Sequence, residues 1–374
     1  MPASTDLATS PTGQEDINSA LRQITLPPST IHELEPLSGS TILPFRRLLI
    51  YDADKILKLR TDQGEGSMTD LAHDVLGSIV PRVDALVSIP GSPVQHGVLV
   101  TRQRGVPLVE LWPSLNPVQR EKVRSSLVEL LNRMRKDVDR SDYYGRPGNQ
   151  PYITMSQPEF GADDDRHDFC RSRVEWDDSR LRALRAAAPE VELSEDRVRD
   201  LERLQRETNT SSSALVYRPV LTHGDLSDGN ILLDAETLEI TGLIDWELAN
   251  VAPAYFEYAL LCISGGHQPE WRKELIEVFL QLLRVECEQE VARSMDTASP
   301  EVKGRATDEL FCETLTAWNA FVNVERYAQG YSDECYWTFE YEERTASSLK
   351  KVLQASRSTS RGRSIKTCDG TVSL

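Results

Sequence analysis

The sequence predicts an α+β, bilobal fold: a small β-rich N-terminal lobe followed by a larger, mostly helical lobe. Short stretches of alternating or branched apolar residues crowd the chain before residue 105. After about residue 116, long segments carry apolar side chains at helical spacing. One acidic stretch, "LTHGDLSDGNILLDAETLEITGLIDWE", interrupts those helices with two short strands. With 374 residues, the chain can bury a large core.

Taken in order, residues 1–28 are rich in Ser, Thr, Pro and Gln, and the reading is a disordered arm. The N-terminal lobe is expected over 29–103. In it "TILPFRRLLIY" and "KILKLR" read as two strands joined by the turn "DAD", a helix is predicted around Glu65–Leu76, and "HGVLVTRQRG" reads as a further strand ending in a polar connector. The C-terminal lobe is expected over 104–350. Its first helix opens with Asn116 as N-cap, Pro117 at the first helical position and Gln119 at capping-box spacing. Val123, Leu127, Leu130, Leu131 and Met134 form its apolar stripe. "WRKELIEVFLQLLRV" and "LFCETLTAWNAFVNVERYA" repeat that pattern. Residues 351–374 are locally basic and read as a disordered tail, with a phosphorylation or docking segment as the alternative.

Composition limits the function classes. A net charge of -17 disfavours phosphate-backbone binding and suits either solubility or cationic partners. No apolar run spans a bilayer and the first residues lack a signal core, so a cytoplasmic location is expected. The six cysteines have no CxxC spacing, which predicts reduced core residues rather than zinc or a disulfide framework.

The chemistry concentrates between Leu221 and Glu247, where seven acidic side chains sit beside "NILL" and "GLID". Such crowding calls for a cation. Two adjacent strands joined by the turn "DAETLE" bring Asn230 and Asp245 to one end of a hairpin, close to Asp225. Phosphoryl transfer from ATP uses this set: one carboxylate to orient and deprotonate a hydroxyl, and hard oxygen ligands for Mg2+. Asp225 suits the first role, Asn230 and Asp245 the second. A calcium loop starting at Asp225 is disfavoured, because Ser227 and Gly229 would occupy its third and fifth positions. Asp228, Asp234 and Glu236 read as solvated hairpin residues.

The stretch "HGDLSDGNILLD…GLIDWELA" resembles the catalytic-loop motif and metal-binding aspartate of the aminoglycoside phosphotransferase and choline kinase family. It has the H-x-D-x-x-x-x-N spacing of protein kinases, with His223 and Gly224 preceding Asp225. The resemblance implies a protein-kinase-like fold, and an ATP- and Mg2+-dependent phosphotransferase whose acceptor is a small-molecule hydroxyl.

A kinase-like fold also needs a strand lysine for the phosphates and a helix glutamate to hold it. Lys58 lies centrally in its predicted strand, whereas Lys55, an odd number of residues away, points to the opposite or edge side as a solvent residue. Glu65 is chosen over Asp70 because the resemblance aligns its segment with the family helix that runs from a Glu to a "VP" turn. Gly64 and Gly66 flank it, which predicts a frayed first turn. The phosphate-covering loop falls at Ser38, Gly39 and Ser40, where an ordinary turn is the alternative. The resemblance places adenine on hinge backbone at Thr101, Arg102 and Gln103, within "GVLVTRQRGVPLVELWPSLN", where Gly105, Leu108 and Trp112 match and Trp112 is expected in the core.

On the acceptor side, "PAYFEY" resembles the segment that follows the metal loop in a fungal-type branch of the family, with Pro253, Tyr255, Phe256, Glu257 and Tyr258 matching. Glu257 is read either as a contact for a cationic acceptor or as an acid complementing a helix start. The run containing Asp163 and Asp164 is read either as an acidic wall of the acceptor pocket or as a solvated face. Two other functions share these residues: a catalytically silent scaffold, and a protein kinase, the latter weakened by the lack of an A-P-E element.

Overall fold

The computed structural model describes residues 21–37, 47–59, 61, 63–91, 94–136, 143–154, 168–186, 195–207, 213–263 and 269–328. The C-terminal tail and most of the N-terminal arm fall outside these residues, as do Ser38, Gly39, Ser40, Asp163 and Asp164.

The first part of the chain builds one six-stranded sheet. Its strands are β1 (Gln23–Thr25), β2 (Glu35–Pro36), β3 (Arg47–Ile50), β4 (Lys55–Leu59), β5 (Val83–Ile89) and β6 (Gln95–Thr101), ordered β1-β5-β6-β4-β3-β2. Among the described residues of this sheet, only the β1–β5 pair is parallel. Helix α1 (Pro28–Glu33) follows β1, and α2 (Gln63–Leu76) links β4 to β5. Leu49, Leu57, Leu59, Ala85, Val87, Ile89 and Leu99 form the small core of this sheet. Leu57 and Leu59 alternate with Lys58 along β4, so the pleat that buries the leucines turns Lys58 to the other face.

One sequence expectation is corrected here. The arm expected to run to residue 28 already contains β1, because β5 supplies the partner that a three-residue strand cannot do without. Strand β5, which the sequence reading passed over, alternates buried and half-buried positions throughout, as a strand with one covered face does.

The larger lobe opens with β7 (Val106–Pro107), α3 (Leu108–Leu111) and the long α4 (Pro117–Lys136). The capping box at its start is closed in both directions. Asn116 Oδ1 accepts the Gln119 amide at 3.0 Å and Gln119 Oε1 accepts the Asn116 amide at 3.0 Å. All five stripe residues, from Val123 to Met134, are buried. There follow α5 (Arg173–Ala186), α6 (Glu195–Glu207), α7 (Ser213–Tyr217), β8 (Pro219–Thr222), the antiparallel hairpin β9 (Ile231–Leu233) and β10 (Ile240–Leu243), and β11 (Asn250–Pro253), which pairs with β8. Helices α8 (Phe256–Ile263), α9 (Pro269–Ser294) and α10 (Pro300–Ala328) complete it. Trp112 is in its core, and Cys170, Cys262, Cys287 and Cys312 are free thiols.

Helix α2 joins the two parts. Met68, Ala72 and Leu76 belong to the core of the larger lobe, while a Cβ added at Gly66 would collide with Leu86 of the sheet. Buried ion pairs tie the helices behind the hairpin. Arg135 of α4 holds Glu286 of α9 through Nε at 2.8 Å and Nη2 at 3.1 Å, and Arg180 of α5 holds Glu325 of α10. No described helix is long and apolar enough to cross a membrane.

Replacing Asn116 by Ala should destabilise the fold by about 1 kcal/mol, with Asn116→Asp close to wild type. Urea denaturation followed by circular dichroism measures this, and equal midpoints for all three proteins would remove the cap from the account.

Candidate active site

The site is built around the chain between β8 and β11. After Thr222 the backbone turns through Gly224, whose φ of 81° lies in the left-handed region and whose missing side chain leaves room for the Leu248 carbonyl. His223 is fully buried. Its Nε2 meets the Ile244 carbonyl at 2.9 Å and its Nδ1 meets the Asp225 amide at 3.3 Å, so a neutral ring, donating from Nε2 and accepting at Nδ1, satisfies both. Burial also pushes its pKa down, which keeps the ring uncharged. This fixes the Asp225 backbone against the end of β10.

Asp225 is half-buried, and its Oδ2 accepts a hydrogen bond from Asn230 Nδ2 at 3.0 Å. The same nitrogen donates to the Asp225 carbonyl at 3.0 Å, which leaves Oδ1 as the accepting end of the Asn230 side chain. The hairpin register pairs Leu243 with Ile231, and the Ile244 amide donates to the Asn230 carbonyl at 3.0 Å. Asn230 and Asp245 therefore stand at one end of the hairpin. Asp245 itself has φ 69° and ψ 63°, an unusual backbone conformation that swings its carboxylate toward the sheet.

There it meets Lys58. The ammonium of Lys58 is paired with Asp245 Oδ1, with Glu65 Oε1 at 2.7 Å and with Glu247 Oε2 at 3.0 Å. Burial works to lower the pKa of this lysine, but the charges of Glu65 and Asp245 outweigh it and hold the group above its ordinary value. Carboxylate oxygens of Glu65, Asp245 and Glu247 lie within 4.8 Å of one another. Three anions around one cation leave a net charge of about −2, and a set of hard oxygen donors fits Mg2+ rather than a thiophilic metal.

Glu247 is a residue that the sequence reading passed over. Trp246 between it and Asp245 is 1% exposed, so the two acids flanking that buried indole share the side away from the core. An acid two positions beyond a metal-site aspartate, across a large apolar residue, is the signal that could have found it. Glu65 lies inside α2 and is 5% exposed, and so is not in a frayed turn. Lys55 occupies the opposite side of β4, paired with Asp84.

At the connector the geometry is narrower than expected. The Thr101 amide donates to the Arg82 carbonyl at 2.9 Å and the Arg102 amide to the Asp54 carbonyl at 2.7 Å. Along the hinge backbone expected to border adenine, the amides of Thr101 and Arg102 are thus engaged within the protein. Gln103 packs against Gly242, where an added Cβ would come within 3.2 Å of its own Cβ.

Glu257 belongs to the first turn of α8, all eight residues of which are buried, so of its two readings the helix-start acid is the one the structure shows. Its two oxygens accept the backbone amides of His223 and Gly224, the latter at 2.8 Å. An acid at a helix start reads alike whether it faces solvent, a ligand or the amides of another segment. Here it anchors the segment that carries Asp225. Burial raises its pKa from 4.5 to about 7 against the opposing pull of those two amides.

The sign of the consequence is fixed. A carboxyl whose pKa is higher in the folded than in the unfolded protein stabilises the fold fully below pH 4.5, and this contribution is lost as the pH rises to about 7. Wild type should therefore lose on the order of 3 kcal/mol relative to Glu257→Gln across that window. Denaturation curves at half-unit pH steps test this; a pH-independent difference between the two proteins would refute it.

Residues 78–289, more than half of the chain, match the family model described as the phosphotransferase enzyme family, APH. Among solved structures, a thermostable mutant of aminoglycoside phosphotransferase APH(4)-Ia in ternary complex with ADP and hygromycin B is 15% identical at a TM-score of 0.45, covering 88% of this chain and 95% of that one. Aminoglycoside phosphotransferase APH(3'')-Id from Streptomyces rimosus is 19% identical at a TM-score of 0.35, covering 76% and 92%. The complex of APH(2'')-IIa with streptomycin and ATP is 13% identical at 0.39, covering 76% and 93%. No curated protein sequence matches. With TM-scores below 0.5, it is the family model that carries the assignment: the chain belongs to the phosphotransferase enzyme family.

Proposed function

We propose that the protein transfers the γ-phosphoryl group of ATP to a hydroxyl group of a small molecule, with Mg2+ as cofactor. The observation that carries this reading is the meeting of Lys58, from the sheet, with Asp245 and Glu247, from the loop after the hairpin, and with Glu65 of α2. A lysine so placed would bind phosphate oxygens while Glu65 steadies it.

Asp225 would accept a hydrogen bond from the acceptor hydroxyl and take its proton as the acceptor oxygen bonds to the γ-phosphorus. The bond from that phosphorus to the β–γ bridging oxygen breaks, and ADP leaves with the bonding electrons. Asn230 would orient Asp225 through its Nδ2 and offer Oδ1 to the metal, alongside Asp245 and Glu247. Mg2+ held by these residues would supply charge neutralisation at the phosphates. Thr101, Arg102 and Gln103 would border the adenine, with the Gln103 amide as its hydrogen-bond donor.

Most of the rate gain would then come from positioning and charge, since no covalent intermediate is needed. The acidic chain, at a net charge of -17, favours an acceptor that carries positive charge and disfavours nucleic acid. Ser38, Gly39 and Ser40 remain the proposed phosphate cover, and Asp163 and Asp164 the proposed acceptor wall. The reading has the enzyme working in the cytoplasm.

The test is ATP turnover by the purified chain with Mg2+ and a panel of amino sugars, amines and neutral alcohols. Asp225→Ala should lower kcat by about 10²- to 10⁴-fold while nucleotide binding persists. Equal turnover by the two proteins would remove Asp225 from the mechanism. Absence of turnover with every acceptor, together with no nucleotide binding, would favour a silent scaffold.

A further inference from the structure

Among the described residues, the phosphotransferase reading gives no role to the buried cation of Arg146. Arg146 is 2% exposed and lies on neither the hairpin nor α2. It belongs to a tight turn, "RPGNQ", closed by the Arg146 amide to the Gln150 carbonyl at 2.9 Å and the Gln150 amide to the Arg146 carbonyl at 3.2 Å. Positive φ at Gly148 (77°) and Asn149 (57°) makes that turn possible.

The segment carrying the turn is fastened to the chain just beyond the metal loop. Gly145 and Val251 exchange amide-to-carbonyl bonds, each at 2.8 Å. The Ile153 amide donates to Asn250 Oδ1 at 2.9 Å, and Asn250 Nδ2 donates to the carbonyls of Ile153 at 2.9 Å and Leu248 at 3.0 Å. Residues 247–251 are thus backed along their length by residues 145–153.

From this backing the Arg146 guanidinium reaches into the site. Its Nε donates to the Ala249 carbonyl at 3.0 Å and its Nη2 donates to the Glu247 carbonyl, so one planar fork holds both sides of the loop that carries Glu247. Its other edge lies against the first turn of α2. A Cβ added at Gly64 would collide with Arg146 Nη1 and would come within 2.6 Å of Gln150 Oε1. Gly64 adjoins Glu65. The guanidinium therefore touches, at once, the backbone that carries one carboxylate of the cluster and the helical turn that carries another.

We infer that Arg146 is a positioning residue, which fixes the separation between Glu65 and the Asp245–Glu247 pair by holding the metal loop against the glycine turn of α2. The inference rests on the phosphotransferase reading, because only a shared nucleotide and metal site requires those acids to keep one geometry. It also gives the glycine at 64 a reason. Helix propensity argues for alanine there, and contact with the guanidinium argues against it.

The experiment is a thermal-shift titration of Mg2+ at fixed ADP on the full chain, comparing wild type, Arg146→Lys and Gly64→Ala. Gly64→Ala adds a single methyl against Arg146, and its gain in helix propensity offsets part of the strain of that contact. Whatever its ligand-free melting temperature, it should need about tenfold more Mg2+ than wild type for its half-maximal ADP-dependent shift. Arg146→Lys, which keeps the charge but loses the fork, should raise that half-point to a similar extent. A wild-type half-point in Gly64→Ala overturns the inference, whether or not Arg146→Lys folds. If wild type itself shows no ADP-dependent shift at any Mg2+ concentration, the phosphotransferase reading falls and the inference falls with it.

Discussion

The structure depends on a cluster that does not hold itself together. Lys58 attracts Glu65, Asp245 and Glu247, and at an effective dielectric of about 20 a charge pair 4 Å apart is worth about 4 kcal/mol. The three carboxylates, with oxygens within 4.8 Å of one another, repel at longer range. The attractions outweigh those repulsions, but burial of the ammonium and of the acids works against the difference. The geometry must therefore be imposed by the scaffold, and the rest of the fold can be understood as the means of imposing it.

Each charged group is fixed by a different element. The pleat of β4 aims Lys58, the contact of Gly66 with Leu86 sets how deeply α2 sits on the sheet, and the left-handed backbone at Asp245 turns its carboxylate out of the hairpin. Further back, Glu257 holds the amides of His223 and Gly224. The start of α8, on which Glu257 sits, is itself held: Arg135 Nη1 donates to the Ala254 carbonyl at 2.8 Å, while its other nitrogens bind Glu286. Glu286 also receives Arg218 at 2.8 Å, and these two arginines overcome the effect of burial to keep its carboxyl below the ordinary range. A buried pair of this kind adds little net stability, because desolvation offsets the attraction. What it supplies is a fixed position for the segment behind the catalytic loop.

Much of this was legible in the residues. The capping box and stripe of α4 are local signals, and local hydrogen bonds realise them. That Lys58 and Lys55 point to opposite faces follows from strand parity, and the central position of Lys58 in its strand is what singled it out. The hairpin that brings Asn230 and Asp245 together was likewise readable, since its turn and its two apolar runs are adjacent in sequence. Illegible features share a different property: their meaning lies in a distant partner. Strand β1 exists because β5 pairs with it, and Glu257 is an ordinary helix-start acid until His223 and Gly224 present their amides to it. Arg146 is one arginine among many until the turn that bears it is stitched to Val251.

The glycines around Glu65 make the same point more sharply, because there local and tertiary preferences point in opposite directions. Two glycines in one helical turn cost about 2 kcal/mol relative to alanine by propensity, which is why a frayed end was expected. Side chains at those positions would collide with Arg146 on one side and Leu86 on the other, and the helix would then stand away from both. Displacing α2 by the thickness of a methyl group would carry Glu65 out of reach of Lys58, since a pair at 2.7 Å tolerates no such shift. The helix thus gives up intrinsic stability so that an acid can stand beside its lysine. Where a sequence violates a local rule next to a charged residue, the violation itself marks where two parts of the fold must touch.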